Sequence, residues 1–153
     1  MRKGIILDAN LLLLLVIGTL DGGRFISHSS RLNAYSKQDV KKLMQLIERF
    51  SPVYVTPYIL TEVSNLIDLK REQYSRAFEL AKVLMQGFEE LPVTLKEDVR
   101  IPTFITHGIT DASLVELAKQ HFVVTNDKRL LPLLFNAAPN NIIPFAAVSQ
   151  YIN

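Results

Sequence analysis

Residues 3–17 read Lys3-Gly-Ile-Ile-Leu-Asp8-Ala9-Asn10-Leu11-Leu-Leu-Leu-Leu-Val-Ile17. The first part is a short apolar run closing on an acid, as in a strand buried on both faces of a parallel sheet, and it predicts β structure over residues 3–8. The second part is apolar without interruption from Leu11 to Ile17 and predicts a helix over about residues 10–20. A helix apolar on every side must be enclosed on every side. Arg2 and Lys3 before such a run resemble the charged flank of a signal peptide, but Asp8 and Asn10 interrupt it and Thr19-Leu-Asp-Gly-Gly23 is no small-residue cleavage site. The run is also far short of the roughly 20 residues that cross a bilayer. A buried strand feeding a buried helix is therefore expected, in a soluble, cytoplasmic chain with no membrane partner.

Working outward, residues 21–37 are rich in Gly, Ser and polar groups and read as a long loop. Ser36 with Asp39 forms a capping-box pattern that starts a helix ending near Phe50. Val53-Tyr-Val55 is a second strand. Thr56-Pro57 starts the next helix, with Thr as N-cap and Pro at the first helical position. A further helix spans about residues 72–90, with Tyr74, Ala77, Phe78, Ala81, Leu84, Met85 and Phe88 facing inward. Residues 92–95 read as a short strand, Thr110 as the cap of a helix to about Gln120, residues 122–125 as a strand, 128–136 as a short helix and 142–145 as a last strand. Alternation of this kind predicts one α/β domain over residues 1–153: three layers, with a short parallel sheet flanked by helices.

Composition narrows the function classes. At 153 residues and 48% hydrophobic content the chain is long and apolar enough for one well-filled core. Mean hydropathy is +0.18, which argues against disorder. Seventeen Lys+Arg against fifteen Asp+Glu leave a net charge of +2, which does not by itself indicate nucleic acid. No cysteine is present, so disulfides and thiolate metal sites are excluded, and scattered His28, His107 and His121 do not form a zinc pattern.

Four acids stand apart by their placement. Asp8 closes the first strand and Asp127 follows the strand at 122–125, while Glu62 and Asp111 lie early on predicted helices. In an open parallel sheet, ligand sites form beyond the carboxyl ends of the strands, where residues distant in sequence meet. Carboxylates gathered there repel by about 4 kcal/mol per pair at 4 Å and an effective dielectric of about 20. Such a cluster suits a hard divalent cation, Mg²⁺ or Mn²⁺, which takes carboxylate oxygens, waters and phosphate oxygens.

These same residues resemble the PIN domain, a metal-dependent nuclease fold, along nearly the whole chain. The matching pieces are Ile6-Leu-Asp8-Ala9-Asn10-Leu-Leu12, Thr56-Pro57-Tyr-Ile-Leu-Thr-Glu62-Val63, Thr110-Asp111-Ala112 running to Ala118, and Val124-Thr125-Asn126-Asp127, in the family's order. The resemblance implies that Asp8, Glu62, Asp111 and Asp127 are the metal ligands and catalytic acids, supported by Asn10 and Thr125. Asn10 is expected to orient Asp8 by hydrogen bonding, and the Thr125 hydroxyl to bond a carboxylate or a metal-held water. It further implies an endoribonuclease acting through a metal-activated water, leaving 5′-phosphate and 3′-hydroxyl ends. Small single-domain members resemble toxins of toxin–antitoxin pairs, whose partner is a small antitoxin protein.

Each acid also has an ordinary explanation. Asp111 suits the positive end of a helix dipole, Glu62 a solvated helix face, and Asp127 a turn before Lys128-Arg129. Asp8 is harder to explain away, because it ends an apolar strand that runs directly into an apolar helix. Asp21, Asp39, Asp68 and Asp98 lack such placement and read as surface. A receiver domain would need an acidic pair after the first strand. A haloacid-dehalogenase-type phosphatase would need Asp where Asn10 stands. No Gly-rich phosphate loop occurs. Among Arg2, Lys3, Arg24, Arg31, His107, Lys128 and Arg129, the pair Lys128 and Arg129 is the one expected to hold RNA phosphates. Phe25 and Tyr35 in the long loop could stack on bases or simply pack the loop down.

The expected partners are RNA and, from the leucine-rich first helix together with the helix at 72–90, a second copy of the chain as a homodimer. Two alternatives belong to other classes: a non-catalytic RNA-binding or protein-interaction module on the same scaffold, and a metal-dependent phosphohydrolase acting on DNA or nucleotides.

Overall fold

Strand β1 (Ile5–Leu7) lies at the centre of a five-stranded sheet in a computed structural model that describes residues 2–153. The other strands are β2 (Val53–Val55), β3 (Glu89–Glu90), β4 (Phe122–Thr125) and β5 (Ile142–Pro144). Their order is β3-β2-β1-β4-β5 and every pairing is parallel. The chain builds outward from β1 through β2 to β3, then crosses to the other side of β1 for β4 and β5. The direction of winding therefore reverses between β1 and β4, where Ile5, Ile6 and Leu7 pair with Phe122, Val123 and Val124.

Helices cover the sheet, giving the expected three-layer α/β architecture. They are α1 (Ala9–Thr19), α2 (Lys37–Arg49), α3 (Pro57–Leu66), α4 (Arg71–Gly87), α5 (Leu95–Asp98), α6 (Thr103–His107), α7 (Ile109–Leu117), α8 (Leu131–Ala137) and α9 (Ser149–Ile152). Helix α1 is the hub, packing against α2, α3, α4 and the strands β1 and β4. Every side chain from Leu11 to Ile17 is at most 2% exposed. At roughly 1.5–3 kcal/mol per fully buried aliphatic side chain, this helix is a main source of fold stability. Gly18 lets α2 approach, because a Cβ there would collide with the Val40 side chain.

Local signals are realised where residues within one turn decide them. Ser36 and Asp39 close a reciprocal capping box on α2. The Thr56 hydroxyl accepts from Ile59 N at 3.2 Å ahead of Pro57. Four expectations are corrected. The edge strand is Glu89–Glu90 rather than residues 92–95, because β3 takes its register from Tyr54 and Val55. Thr110 is not a cap: α7 begins at Ile109, its N-cap is Gly108 at φ 88°, and Thr110 is buried inside the helix. Tyr74 is 43% exposed rather than inward, its ring set against Phe78 at 4.8 Å between centroids. The loop at residues 21–37 is largely a series of short 3-10 turns, pinned where Ser30 donates to Asp68 and where Arg76 grips Asp21.

The leucine run needs no second chain. Residues from α2, α3, α4 and the sheet enclose α1 within one protomer, which removes the reason for expecting a dimer through that helix. Among the described residues, no helix is long and apolar enough to cross a membrane.

Candidate functional site

Asp8 emerges from the carboxyl end of β1 and is the N-cap of α1. Its backbone N–H still donates to Val124 O at 3.0 Å, so the β1–β4 ladder holds it at the point where the winding reverses. One carboxylate oxygen accepts from Ala9 N at 2.8 Å, and the other accepts from the Thr125 hydroxyl at 2.7 Å. The carboxylate is 8% exposed. Burial, with the charges of Glu62 and Asp127, raises its pKa, and the bonds from Thr125 and Ala9 oppose that rise.

Thr125, at the end of β4, joins two of the acids. Its hydroxyl donates to Asp8 and accepts from Asp127 N at 3.0 Å. Asp127 in turn caps the turn that follows: one of its oxygens accepts from Arg129 N at 2.9 Å and Leu130 N at 3.3 Å. The turn expected of Asp127 is formed, and among the described residues its second oxygen accepts no hydrogen bond.

Asp111 stands in the first turn of α7, half-buried, and its carboxylate accepts no hydrogen bond among the described residues. Burial is the largest cause of its raised pKa, followed by the charges of Asp8, Asp127 and Glu62. Arg129 opposes them, and the carboxyl is pushed up to about 7. Glu62 is exposed on α3 and makes no ion pair among the described residues. The sheet thus brings all four acids within electrostatic reach of one another, while Asp21, Asp39, Asp68 and Asp98 are each engaged elsewhere.

Asn10 does not orient Asp8. It is exposed on α1 beside the cleft and makes no hydrogen bond to that carboxylate, because residues two apart on a helix do not face one another. Thr125 performs that task instead. A cleft of about 430 Å³ borders Asp8 and Asp127 and is lined by Asn10, Arg31, Tyr35, Asn126, Lys128 and Arg129. Lys128 and Arg129 are exposed at its rim. Asn126 was not singled out by sequence; its amide donates to the Tyr35 hydroxyl at 2.9 Å and ties the loop to the strand end. Its position between Thr125 and Asp127 was the available signal. Phe25 is 6% exposed and packs the loop down, so it presents no face for a base.

The donor set is all oxygen and anionic, which is what Mg²⁺ or Mn²⁺ takes. Among the described residues no three acid or histidine side chains converge at ligating distance of one point. They stand instead at the separations over which like charges interact. The residues fit a hard divalent cation by the chemistry of their donors: Asp8 and Asp127 are linked through Thr125, and Asp111 and Glu62 lie within electrostatic reach of Asp8.

Fold and site define an α/β protein with an acidic cluster at the switch point of a parallel sheet. No protein-family model matches the chain, and no curated protein matches it. Among solved structures it is similar to the crystal structure of PAE2754 from Pyrobaculum aerophilum, with a TM-score of 0.61, 18% identity, and coverage of 99% of this chain and 96% of that one. Likeness at that identity shows the shared fold alone.

Proposed function

We propose that the chain is a PIN-type, Mg²⁺- or Mn²⁺-dependent endoribonuclease. The observation that carries this reading is the linkage of Asp8 and Asp127 through the buried Thr125 hydroxyl at the ends of β1 and β4, with Asp111 and Glu62 within electrostatic reach. Placing four acids together opposes folding, and a bound dication offsets that cost. Asp8, Glu62, Asp111 and Asp127 would hold the ion. When bound, it supplies Lewis-acid stabilisation of a phosphodiester and acidifies water.

The remaining work falls to the chain. Thr125 fixes the Asp8 carboxylate, and Asp127, held by its turn, borders the same cleft. Lys128 and Arg129 at the rim hold substrate phosphates. The Thr125 hydroxyl is engaged by Asp8 and Asp127 N, which suits hydrolysis by water rather than attack by a side chain. RNA as substrate, a cytoplasmic location, a homodimer and a role as the toxin of a toxin–antitoxin pair are the finer parts of this reading, and they rest on family resemblance.

Incubation of labelled RNA and DNA with the purified protein, with and without Mn²⁺, is the test. Metal-dependent RNA cleavage ending in 5′-phosphates is expected, and DNA-only cleavage would redirect the reading to a DNA phosphohydrolase. A non-catalytic RNA-binding module is the second reading, favoured by the absence of a converged ligand set among the described residues. Binding of RNA without cleavage at any metal concentration would establish it.

A further inference from the structure

The segment that delivers Asp111 to the site has little burial of its own. It runs from Thr94 through α5 and α6 to Gly108, where φ 88° turns the chain into α7. Helix α5 has no buried residue, and Thr103 is the buried residue of α6. Leu95, Val99 and Ile105 are open to solvent, Ile105 at 87%. The backbone bonds are local, such as Asp98 N to Thr94 O and Gly108 N to Phe104 O. Those of the Thr106 and His107 side chains also stay within the segment. Among the described residues, one hydrogen bond ties it to an element other than α7. The Tyr58 hydroxyl donates to a carboxylate oxygen of Asp98 at 2.7 Å.

Tyr58 is the second residue of α3 and stands one turn before Glu62, so the two lie on one face of that helix. The bond therefore joins the helix that carries Glu62 to the segment that ends at Asp111. Helices α3 and α7 also pack together, but among the described residues no side-chain hydrogen bond or ion pair links them directly. Glu62 and Asp111 repel, which works to part the two helices. A hydroxyl donating to a carboxylate is one of the stronger hydrogen bonds and can resist that force. Burial and the Asp98 carboxylate push the Tyr58 hydroxyl up to about 12, so it stays a donor. The charges felt by Asp8 and Asp111 come from each other, Glu62, Asp127 and Arg129, not from Asp98. Asp98 thus acts through its bond and not as a fifth acid.

We propose that Tyr58 and Asp98 are positioning residues: their bond sets the spacing of Glu62 on α3 from Asp111 on α7, and through it how tightly the acids take a divalent cation. The inference rests on the reading of the acids as a cation site. A cation that draws carboxylates from two helices needs those helices held at one separation before it arrives. Residues that support metal ligands from outside change metal affinity by about 10–100-fold when removed.

The first measurement is Mn²⁺ binding to the full chain without RNA, by electron paramagnetic resonance. Tyr58→Phe keeps the ring and removes the bond, and Mn²⁺ affinity should fall about tenfold. Asp98→Asn keeps an acceptor oxygen for the phenol and should bind Mn²⁺ as wild type does. Asp98→Ala removes the bond from the other side and serves if Tyr58→Phe does not fold. The second measurement needs no metal. Because the chain has no cysteine, nitroxides on Asn65→Cys in α3 and Glu116→Cys in α7, both exposed, are its sole labels. Their distance distribution in EDTA should broaden in Tyr58→Phe and keep its width in Asp98→Asn. Wild-type Mn²⁺ affinity in Tyr58→Phe overturns the inference, and so does weaker Mn²⁺ binding with unchanged distances. Loss of Mn²⁺ affinity in Asp98→Asn alone also overturns it, since Asp98 would then act by charge. Metal-dependent RNA cleavage by wild type alongside any of these results leaves the nuclease reading standing. A wild type that binds no Mn²⁺ would overturn the nuclease reading, while broadened distances in Tyr58→Phe would still support the spacing role.

Discussion

The Thr125 hydroxyl donates to the Asp8 carboxylate at 2.7 Å and accepts from Asp127 N at 3.0 Å, so one buried oxygen links the ends of β1 and β4. Thr125→Val keeps the shape and removes both bonds. A buried polar group left unpaired costs about 1–3 kcal/mol, and a loss of that size is expected in urea unfolding. RNA cleavage should fall sharply in the same variant, and Thr125→Ser should restore both. Full cleavage by Thr125→Val would remove Thr125 from the site.

Asp8→Asn preserves volume and surrenders the charge. Cleavage in Mn²⁺ is expected to disappear while the circular dichroism spectrum stays that of the wild type. Wild-type turnover by the folded variant would reject the acid cluster as the reaction site.

Asp111 makes the metal-free protein sensitive to rising pH. Its ordinary value is 3.8 and its folded value about 7, chiefly through burial and then the neighbouring acids. Between those values the unfolded chain releases the proton and the folded chain keeps it, so stability falls as pH rises from about 4 to 7. Each pKa unit is about 1.4 kcal/mol, but the carboxyl is half open to water, so screening reduces the effect to about 1–2 kcal/mol. Asp111→Asn should therefore melt higher than wild type in EDTA at pH 8 and no higher at pH 4. Mn²⁺ at a hundred times its Kd adds about 2.7 kcal/mol to a protein that binds it. An equal Mn²⁺-induced shift in wild type and variant would tell against Asp111 as a ligand.

His121 acts in the opposite direction. It is 2% exposed, its Nδ1 accepts from Gly4 N at 3.4 Å, and its ring lies against Tyr54. Burial, with nearby positive charge including Lys3, lowers its pKa, so the folded protein holds the neutral ring. As pH falls below about 6.5 the unfolded chain takes up the proton first, and stability declines. Urea midpoints at pH 5 and pH 7 measure this, and His121→Gln should narrow the gap between them.

Leu14 lies fully buried in α1. Leu14→Ala should cost about 2–5 kcal/mol through the cavity it leaves, with no change in molecular mass by light scattering. A change of oligomeric state in this variant would reinstate α1 as an interface.

Much of the fold was readable because its determinants are local. The apolar run at 5–7, the Ser36–Asp39 capping box and the Thr56-Pro57 start each depend on residues within about one turn, and each forms as expected. The order of the four acids along the chain was likewise visible, because each follows a strand or opens a helix. What only the tertiary structure decided depends on neighbours far away in sequence. Sheet order set β1 beside β4, which is why Thr125, 117 positions from Asp8, orients that carboxylate and Asn10 does not. Pairing with β2 moved the edge strand to Glu89–Glu90, and packing by α2, α3 and α4 enclosed the leucine helix within one chain. Periodicity reports how much of an element must be covered; it carries no information about which element covers it.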